Sequence, residues 1–410
     1  MIIPEYLAAR TRAMILVGTT ALAATACGAG DPARQTEVVR TDSAGVEVVV
    51  YPGRDLALDW NARRLFTLGG EEEGPESFYF LAPGMVDTDR DGRIYVLDIN
   101  SSRVAVFDAD GEFVRLQGGA GSGPGEFHDG NGIAVSPEGV ASVFNFGKGG
   151  FVRFDNDGAI LPELSFQEFP TWSKQRHVAV AGDGYVVSAN AASPTGDRRT
   201  HQLRLITSGQ VQMLAELEPV ALSRLLIERC GGGINRAPVF APDLVWDAQA
   251  GRIAANVEPG YTVTIIEEGR RVRSVRRALD ATPASRALAL AEMAEGLTMN
   301  FGHGPCKISP EELVDGLGFA EVVPVILNVR LAPDGALWVE RRAGDGDGAP
   351  RIDLFDPTGA YQGTLPEGTP LPLLILPGGR VAVVERDEFD VDRLVVMQVE
   401  LGSAWPRDDP

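Results

Sequence analysis

The stretch Asp91-Gly92-Arg93-Ile94-Tyr95-Val96-Leu97-Asp98 is the clearest copy of a sequence cassette that returns along the chain. An Asp-Gly turn leads into an apolar strand, a second strand follows at residues 103–108, and a third follows the turn Asp110-Gly111. The next copy begins at Glu138-Gly139. Strands and turns that repeat roughly every 45 residues predict a β-propeller or a related repeat array.

Six copies are recognisable, each with a glycine in the turn that precedes an apolar strand. The marker glycines are Gly92, Gly139, Gly184, Gly251, Gly335 and Gly379. Their spacings are 47, 45, 67, 84 and 44 residues. The sequence therefore predicts an all-β fold with six blades, two of which carry insertions.

Ring closure requires a strand from elsewhere, because the last copy ends with residues 393–399 and contains three strands. Two candidate strands precede the first copy, Val46–Tyr51 and residues 64–68. The second precedes Gly69-Gly70 much as residues 113–116 precede Gly118-Gly119. We predict that residues 64–68 complete the final blade and so remove the exposed sheet edges of an open ring.

The first copies also resemble a known family. Residues 92–135 contain Tyr-Val-Leu-Asp, Arg-Val-Ala-Val-Phe-Asp-x-Asp-Gly and the loop Gly121-Ser122-Gly123-Pro124-Gly125-Glu126-Phe127. This stretch is similar to an NHL repeat of the bacterial six-bladed propeller lipoproteins, and the likeness extends in outline over residues 64–400. It implies a fold and not a reaction, since propellers carry many unrelated functions.

Composition agrees with a chain of many short strands. The 410 residues are 44% hydrophobic and 23% charged, with 48 Gly and 27 Pro, which excludes long helical repeats. The formal net charge of −20 argues against a nucleic-acid partner, because phosphate binding needs a basic stripe. The acidity serves solubility or attracts cations such as calcium.

The N-terminus predicts export. Arg10 and Arg12 precede an apolar run at residues 13–24, followed by Thr25-Ala26-Cys27-Gly28. This pattern is typical of a signal peptide at residues 1–26 with a lipoprotein-type cleavage site. The resemblance to lipoproteins implies that Cys27 receives a lipid, which would be the chain's only membrane contact; a plain signal peptide is the alternative.

The predicted domain order follows from these features: a tether at 27–40, the propeller at 41–402 and a short tail at 403–410. The mature protein would lie in the bacterial cell envelope, facing the periplasm or the cell surface. In that oxidising setting we predict a disulfide between Cys230 and Cys306, which lie in the two longest gaps. It would pin both insertions over one face; two buried free thiols are the alternative.

The larger insertion, at about 281–320, has helical features. Thr282-Pro283 predicts an N-cap before a first helix, and Ser309 with Glu312 predicts a capping box for a second. We expect two short helices that either cover the mouth of the channel or pack on the blade rim.

Two groups of oxygen-bearing side chains could bind a ligand. Asp87, Asp89 and Asp91 have the spacing of a calcium loop, but strands flank them where an EF-hand has helices, so a plain turn is the alternative. The second group ends the second strand of each blade: Asp98, Asn145, Asn190, Asn256, Glu340 and Glu385. With His128 and Asp129 it could form a polar ring for an ion or a sugar-like ligand, or each side chain could instead stabilise its own turn.

Catalysis finds little support, because no nucleophile elbow or zinc-binding motif occurs and His128 is a surface-loop candidate at best. We favour a lipid-anchored envelope module that binds a protein, peptide or glycan, with no catalytic residues and no required cofactor. A calcium-dependent hydrolase or lactonase like the gluconolactonase and paraoxonase propellers is the second hypothesis. A structural role in envelope assembly is the third.

Overall fold

The structure is a computed structural model that describes residues 38–69, 74, 77–78, 80–165, 177–193, 195–207, 210–302, 304–344 and 348–402. The predicted signal peptide, Cys27, most of the predicted tether and the predicted tail lie outside these residues. Neither helix within the described ranges has the length and apolar character that a bilayer span requires.

Three N-terminal strands come first and are followed by the strands of blades one to three. They are β1 (Val39–Ser43), β2 (Val46–Tyr51) and β3 (Trp60–Leu68); β4 (Val86–Thr88), β5 (Ile94–Asp98), β6 (Arg103–Phe107) and β7 (Phe113–Gly118) in blade one; β8 (Gly130–Val135), β9 (Ala141–Asn145), β10 (Gly150–Phe154) and β11 (Ile160–Ser165) in blade two; and β12 (Val178–Ala181), β13 (Gly184–Ala192), β14 (Arg198–Ile206), β15 (Val211–Glu216) and the short β16 (Val220–Ala221) in blade three.

The remaining elements build two insertions and blades four to six. They are β17 (Ser223–Ile227) and β18 (Gly232–Arg236); β19 (Val245–Gln249), β20 (Arg252–Asn256), β21 (Thr262–Glu267) and β22 (Arg270–Arg277) in blade four; α1 (Arg286–Glu292), β23 (Leu297–Asn300), β24 (Pro305–Ile308) and α2 (Pro310–Leu317); β25 (Ile326–Leu331), β26 (Leu337–Arg341), β27 (Arg351–Phe355) and β28 (Tyr361–Thr364) in blade five; and β29 (Leu374–Leu376), β30 (Arg380–Arg386) and β31 (Asp392–Leu401) in blade six.

The described strands form a closed ring of six blades, which confirms the predicted fold. The innermost strands contact one another in the order β4, β8, β12, β19, β25, β29 and back to β4. Apolar side chains fill the space between neighbouring blades, as where Tyr95 and Leu97 of blade one pack against Val143 of blade two. Burial of these faces supplies the main driving force for folding, because it removes apolar area from water.

The turn glycines act through their backbone conformation. Gly92 has a φ of 80°, in the left-handed region that other residues adopt at a cost, and the marker turns of blades two, four, five and six also contain a glycine with positive φ. Blade three differs from the prediction. There Gly182, with a φ of 61°, takes this conformation in place of the marker Gly184.

The N-terminal strand closes the ring as predicted. β3 pairs antiparallel with β31, from Trp60 opposite Leu401 to Leu68 opposite Leu394, and so becomes the outermost strand of blade six. The strand is longer than the predicted residues 64–68 because it begins at Trp60. Its pairing gives blade six four strands, like blades one, two and five.

The chain segment before β3 binds two further blades. β2 pairs in parallel with β22 and makes blade four a six-stranded sheet together with β1. The segment then crosses the edge of blade five, where the amide of Leu58 donates to the carbonyl of Thr364 over 3.0 Å. Residues 46–68, called here the N-terminal strap, therefore connect the outer edges of blades four, five and six.

A buried ionic cluster lies beneath the strap. Asp353 is fully buried and accepts hydrogen bonds from Arg277 at 2.7 Å and Arg341 at 2.9 Å. The same two arginines donate to Asp55 of the strap, at 2.9 and 2.6 Å. Burial alone would raise the pKa of Asp55, but the charges of Arg341 and Arg277 outweigh it and hold that pKa below its usual value.

The insertions form one small subdomain built from the hairpin β17–β18, α1, the hairpin β23–β24 and α2. Its apolar core includes Ile227, Ile308 and Leu313. The capping box of α2 is confirmed, since Ser309 accepts from the amide of Glu312 and Glu312 accepts from the amide of Ser309.

The predicted cap of α1 is wrong. Ser285 caps this helix by accepting from the amide of Leu288 at 3.2 Å. Thr282 cannot do so, because residues 282–284 are extended and bonded to the opposite segment: Val323 donates to the carbonyl of Thr282, and Ala284 donates to that of Glu321.

The ionic cluster gives a stability prediction. Replacing Asp353 with alanine leaves the guanidinium groups of Arg277 and Arg341 buried with one acceptor fewer. Loss of one member of a buried ion pair costs about 3–5 kcal/mol. We expect Asp353→Ala to lower the free energy of unfolding by about this amount in urea titrations.

The matched control is Arg286→Ala, which breaks the exposed ion pair between Arg286 and Asp315. Solvent screens that pair, so the control should leave the unfolding midpoint nearly unchanged. Equal effects of the two variants would show that the buried cluster does not hold the strap.

Candidate functional site

The predicted ring of polar side chains lies on one face of the propeller. In an antiparallel blade of four strands, the second and fourth strands run in the same direction. The turn after the second strand therefore lies on the same face of the propeller as the connection from the fourth strand to the next blade. We call this the insertion face, because both insertions are such connections. The predicted residues on blades one to six are Asp98, Asn145, Asn190, Asn256, Glu340 and Glu385.

Three of these side chains bind the turns that follow them. Asp98 accepts from the amide of Asn100 at 3.1 Å and is buried. Asn145 accepts from the amide of Gly147 at 3.1 Å. Asn256 donates to the carbonyl of Thr262 at 2.8 Å.

The other three have different surroundings. Glu340 accepts from the side-chain amide of Asn328 at 2.6 Å. Glu385 is exposed and receives both of its hydrogen bonds from Arg64 of β3, at 2.7 and 2.8 Å. Asn190 is half-buried on β13. A ligand at this ring would have to displace contacts that the side chains already make, so the ring stays a prediction.

The loop with His128 and Asp129 is fixed by its neighbour Phe127. That ring is fully buried between blades one and two, whereas His128 and Asp129 are exposed. The loop is further held by Glu126, whose carboxylate accepts from the amide of Gly123 at 2.9 Å. The pair is accessible on the insertion face, and its role as a binding element stays a prediction.

The three aspartates of the predicted calcium loop lie in different surroundings. Asp89 is buried and accepts from the amides of Asp91 and Arg93, both at 3.0 Å, and from the Tyr95 hydroxyl at 3.1 Å. Asp91 is exposed, and Asp87 faces the propeller axis. Within the described ranges, no cluster of three or more His, Cys, Asp and Glu side chains is placed to hold a metal ion.

A polar cavity lies on the axis and is lined by residues of all six innermost strands and the segments that lead into them. The ionisable side chains of its wall are Asp87 of blade one, Asp247 of blade four, Arg330 of blade five and His177 just before blade three. The volume of about 40 Å³ is enough for a few waters or a small hydrated ion and too small for a sugar-sized substrate.

Each aspartate joins its own innermost strand to that of the next blade. Asp87 accepts from the amide of Val135 at 2.6 Å. Asp247 accepts from the amide of Leu331 at 2.7 Å, and its other oxygen lies 3.0 Å from Nε2 of His177. The imidazole of His177 packs on Trp246, with the ring centroids 4.3 Å apart.

This arrangement differs from a hydrolytic triad. His177 and Asp247 have the spacing of a base and its orienting acid, but none of the described residues that line the cavity is a serine, threonine or cysteine. The pairs therefore act as hydrogen-bonded links between blades around the axis.

Sequence reasoning missed His177, Asp247 and Arg330, and named Asp87 for a different role. A signal was available in the register. Asp87, Asp247 and Arg330 each pair with the third residue after a marker glycine, namely Tyr95, Ala254 and Trp338. Reading the residues before each marker glycine would have placed these three side chains at one level of the axis.

The disulfide between Cys230 and Cys306 is present, as predicted, with Cα atoms 6.0 Å apart. It joins the two insertions within the subdomain core. The subdomain rests on blade five, where Arg342 donates to Glu292 at 2.8 and 2.9 Å, and contacts blade three, where Asn235 donates to the carbonyl of Gly196 at 3.3 Å. These contacts hold it on the rim of blades three to five.

Several large apolar side chains are exposed on the insertion face and its subdomain. Leu226 is 62% exposed on the β17–β18 hairpin, and Phe389 is 68% exposed in the turn between β30 and β31. Phe80 and Phe319 are 41% and 39% exposed in connections on the same face. Singly exposed apolar residues are normal on protein surfaces, so these four carry weight only through the face that they share.

Comparison with known proteins gives one family model and several similar solved structures. A family model described as a 6-bladed beta-propeller matches residues 75–185. No curated protein matches the chain. Three solved structures are similar to it at low identity. One is a protein of Bacteroides fragilis NCTC 9343 that is named as exported, with 12% identity over 87% of this chain and 100% of that chain and a TM-score of 0.47.

The second is a DUF4221 family member from Bacteroides vulgatus ATCC 8482, with 11% identity over 90% of this chain and 99% of that chain and a TM-score of 0.46. The third is virginiamycin B lyase from Staphylococcus aureus, with 9% identity over 86% of this chain and 90% of that chain and a TM-score of 0.31.

Asp87 gives a pH prediction. Burial in the axial cavity raises the pKa of Asp87 to about 7, against the opposing effect of the hydrogen bonds from Val135 and Thr88. Because the folded-state pKa lies above the unfolded one, the stability that Asp87 contributes is present below pH 4 and is lost as the pH rises through 7. One pKa unit is worth about 1.4 kcal/mol, so the loss between pH 4 and pH 8 reaches about 4 kcal/mol.

The measurement compares the unfolding free energies of wild type and Asp87→Asn from pH 4 to pH 8. All other titrations are shared and cancel in the difference. The variant should gain stability relative to wild type as the pH rises. Parallel profiles over this range would contradict the assignment.

Proposed function

We propose that this chain is an exported, lipid-anchored binding protein of the bacterial cell envelope that holds a protein or peptide partner on the insertion face. The supporting observation is the subdomain itself: both long insertions leave the same face and are joined there by a disulfide. Loops on a rigid scaffold are where propellers and other superfolds carry their functions.

The disulfide also supports export. Disulfides persist in oxidising compartments and are rare in the bacterial cytoplasm. Cys230 and Cys306 are separated by 76 residues along the chain, so their bond restrains a long loop in the unfolded state. This agrees with the signal-peptide pattern at residues 1–26 and with a lipid on Cys27.

The chemistry of the face favours a protein or peptide over a glycan. Leu226 and Phe389 are large apolar side chains with 62% and 68% of their surface exposed, and such anchors are typical of protein interfaces. The calcium-dependent hydrolase hypothesis is less favoured, because the axial cavity of about 40 Å³ is too small for a lactone substrate.

Binding is tested by immobilising residues 28–410 and incubating them with envelope extract of the source organism. Leu226→Ser and Phe389→Ser should reduce capture of a defined partner at least tenfold, because each removes an apolar contact of the insertion face. Glu112→Ser, at an exposed turn of the opposite face, is the control and should capture as well as wild type. Equal capture by all variants would contradict a partner on the insertion face.

Anchoring has a separate test. The full chain should fractionate with membranes and incorporate labelled palmitate, and Cys27→Ala should lose both the label and the membrane association. If Cys27→Ala remains in the membrane fraction, or if the wild type carries no lipid, the lipid anchor is wrong while the binding face is untouched.

A further inference from the structure

A second cavity, of about 280 Å³, lies between blades two and three. It is bordered by the β8–β9 turn, which contains Ser136, and by the β12–β13 turn, which contains Asp183. Both turns are on the face opposite the insertion face. The cavity is seven times larger than the axial one, and its volume approaches the lower end of the range that small-molecule sites occupy.

The side chain of Arg153 lines this cavity. The Nε atom of Arg153 on β10 is buried and has no hydrogen-bond partner within the described part of the chain. The register shows that the site is unusual. Arg153 lies opposite Ser142, whereas the corresponding residue of blade one is the fully buried Val106, opposite Tyr95.

An unpaired buried guanidinium donor is costly, because it has left water without gaining an acceptor. Two arginines of blade one, by contrast, are paired: Arg115 donates to the carbonyl of Asn156 at 2.8 Å, and Arg103 donates to Asp98 at 3.3 Å. Arg153 instead faces the cavity. Its planar group presents parallel N–H donors that match a carboxylate.

The rest of the cavity wall has a polar part and an apolar part. Near Arg153, the hydroxyls of Ser142 and Tyr185 are 2.8 Å apart and buried, so they form a polar strip beside the cation. The Tyr185 ring is stacked on Phe151 at 3.9 Å and is thereby held in place. The apolar part of the wall consists of Val140, Leu164, Val180 and Ile206.

The one carboxylate among the described lining residues, Asp183, is exposed at the turn. We propose that this cavity binds a small monocarboxylate with an apolar body. The carboxylate of this ligand accepts hydrogen bonds from Arg153 and from the hydroxyls of Ser142 and Tyr185. The apolar body of the ligand packs against the aliphatic wall. The inference is independent of the insertion face, because it concerns the opposite side of the ring.

The test is isothermal titration of residues 28–410 with phenylacetate and with 3-methylbutanoate, beside phenylacetamide as a neutral analogue and inorganic phosphate as an anion without an apolar body. We expect one acid per chain, with binding at least tenfold tighter than that of phenylacetamide or phosphate. Higher salt should weaken it, since the contact is between ions.

Three variants locate the site. Arg153→Met should weaken binding of the acid at least tenfold, and Tyr185→Phe should weaken it several-fold while leaving the ring stack in place. The matched control is Arg270→Met at an exposed position of β22, which should bind like wild type. Melting temperatures show whether each variant is folded.

If Arg153→Met does not fold, Arg153→Lys carries the test, because it keeps the charge and loses the planar pair of donors, and it should bind at least fivefold more weakly. The proposal is overturned if neither acid binds, if phenylacetamide or phosphate binds as tightly as the acid, or if the folded Arg153 variant binds like wild type.

Discussion

The pairing of β3 with β31 is the interaction on which the rest of the ring depends. In each of the other five blades the four core strands follow one another along the chain, so their hairpins could form locally. Blade six cannot, because β29, β30 and β31 leave an unpaired edge until residues 60–68 arrive from the other end of the chain. The ring is complete only when both ends of the sequence meet, so its innermost contacts, including β29 with β4, depend on a pairing across more than 300 residues.

The N-terminal strap extends this constraint to two more blades. β2 adds to blade four in parallel, and the strap then crosses blade five above the charges of Arg277, Arg341 and Asp353. Buried ion pairs are weak sources of net stability, because desolvation offsets much of their attraction. Their geometry is demanding, however, and Asp55 can join the cluster only when the strap lies in this register. The cluster therefore contributes to specificity in how the strap docks.

Much of this architecture could be predicted from residues whose effect is local. The marker glycines fix tight turns, Ser309 and Glu312 cap a helix through neighbouring amides, and the missing fourth strand of the last blade requires a donor. The position of Val46–Tyr51 could not be predicted, because its partner β22 lies more than 220 residues away and no local pattern identifies a parallel neighbour. The cap of α1 was misplaced for a similar reason, since Thr282 is held by the distant Val323.

The site was harder to predict than the fold. The oxygen-bearing residues that end each second strand stand out when the six copies within the chain are aligned. Yet Asp98, Asn145 and Asn256 bind their own turns. Asp247, His177 and Arg330 are inconspicuous in sequence, because their role arises from the convergence of six strands on one axis. Arg153 has no distinguishing feature in the sequence and becomes notable only because its buried Nε atom has no hydrogen-bond partner among the described residues.

Closure of the ring by β3 can be measured by amide hydrogen exchange, read by mass spectrometry, on two chains: residues 28–410 and residues 69–410. In the longer chain, the amides of residues 394–398 should exchange as slowly as those of the buried strand β5, because they lie in a central position of a closed blade. In the shorter chain, which lacks β3, the same amides should lose that protection and cooperative unfolding should disappear. Equal protection of residues 394–398 in both chains would contradict closure by the N-terminal strand.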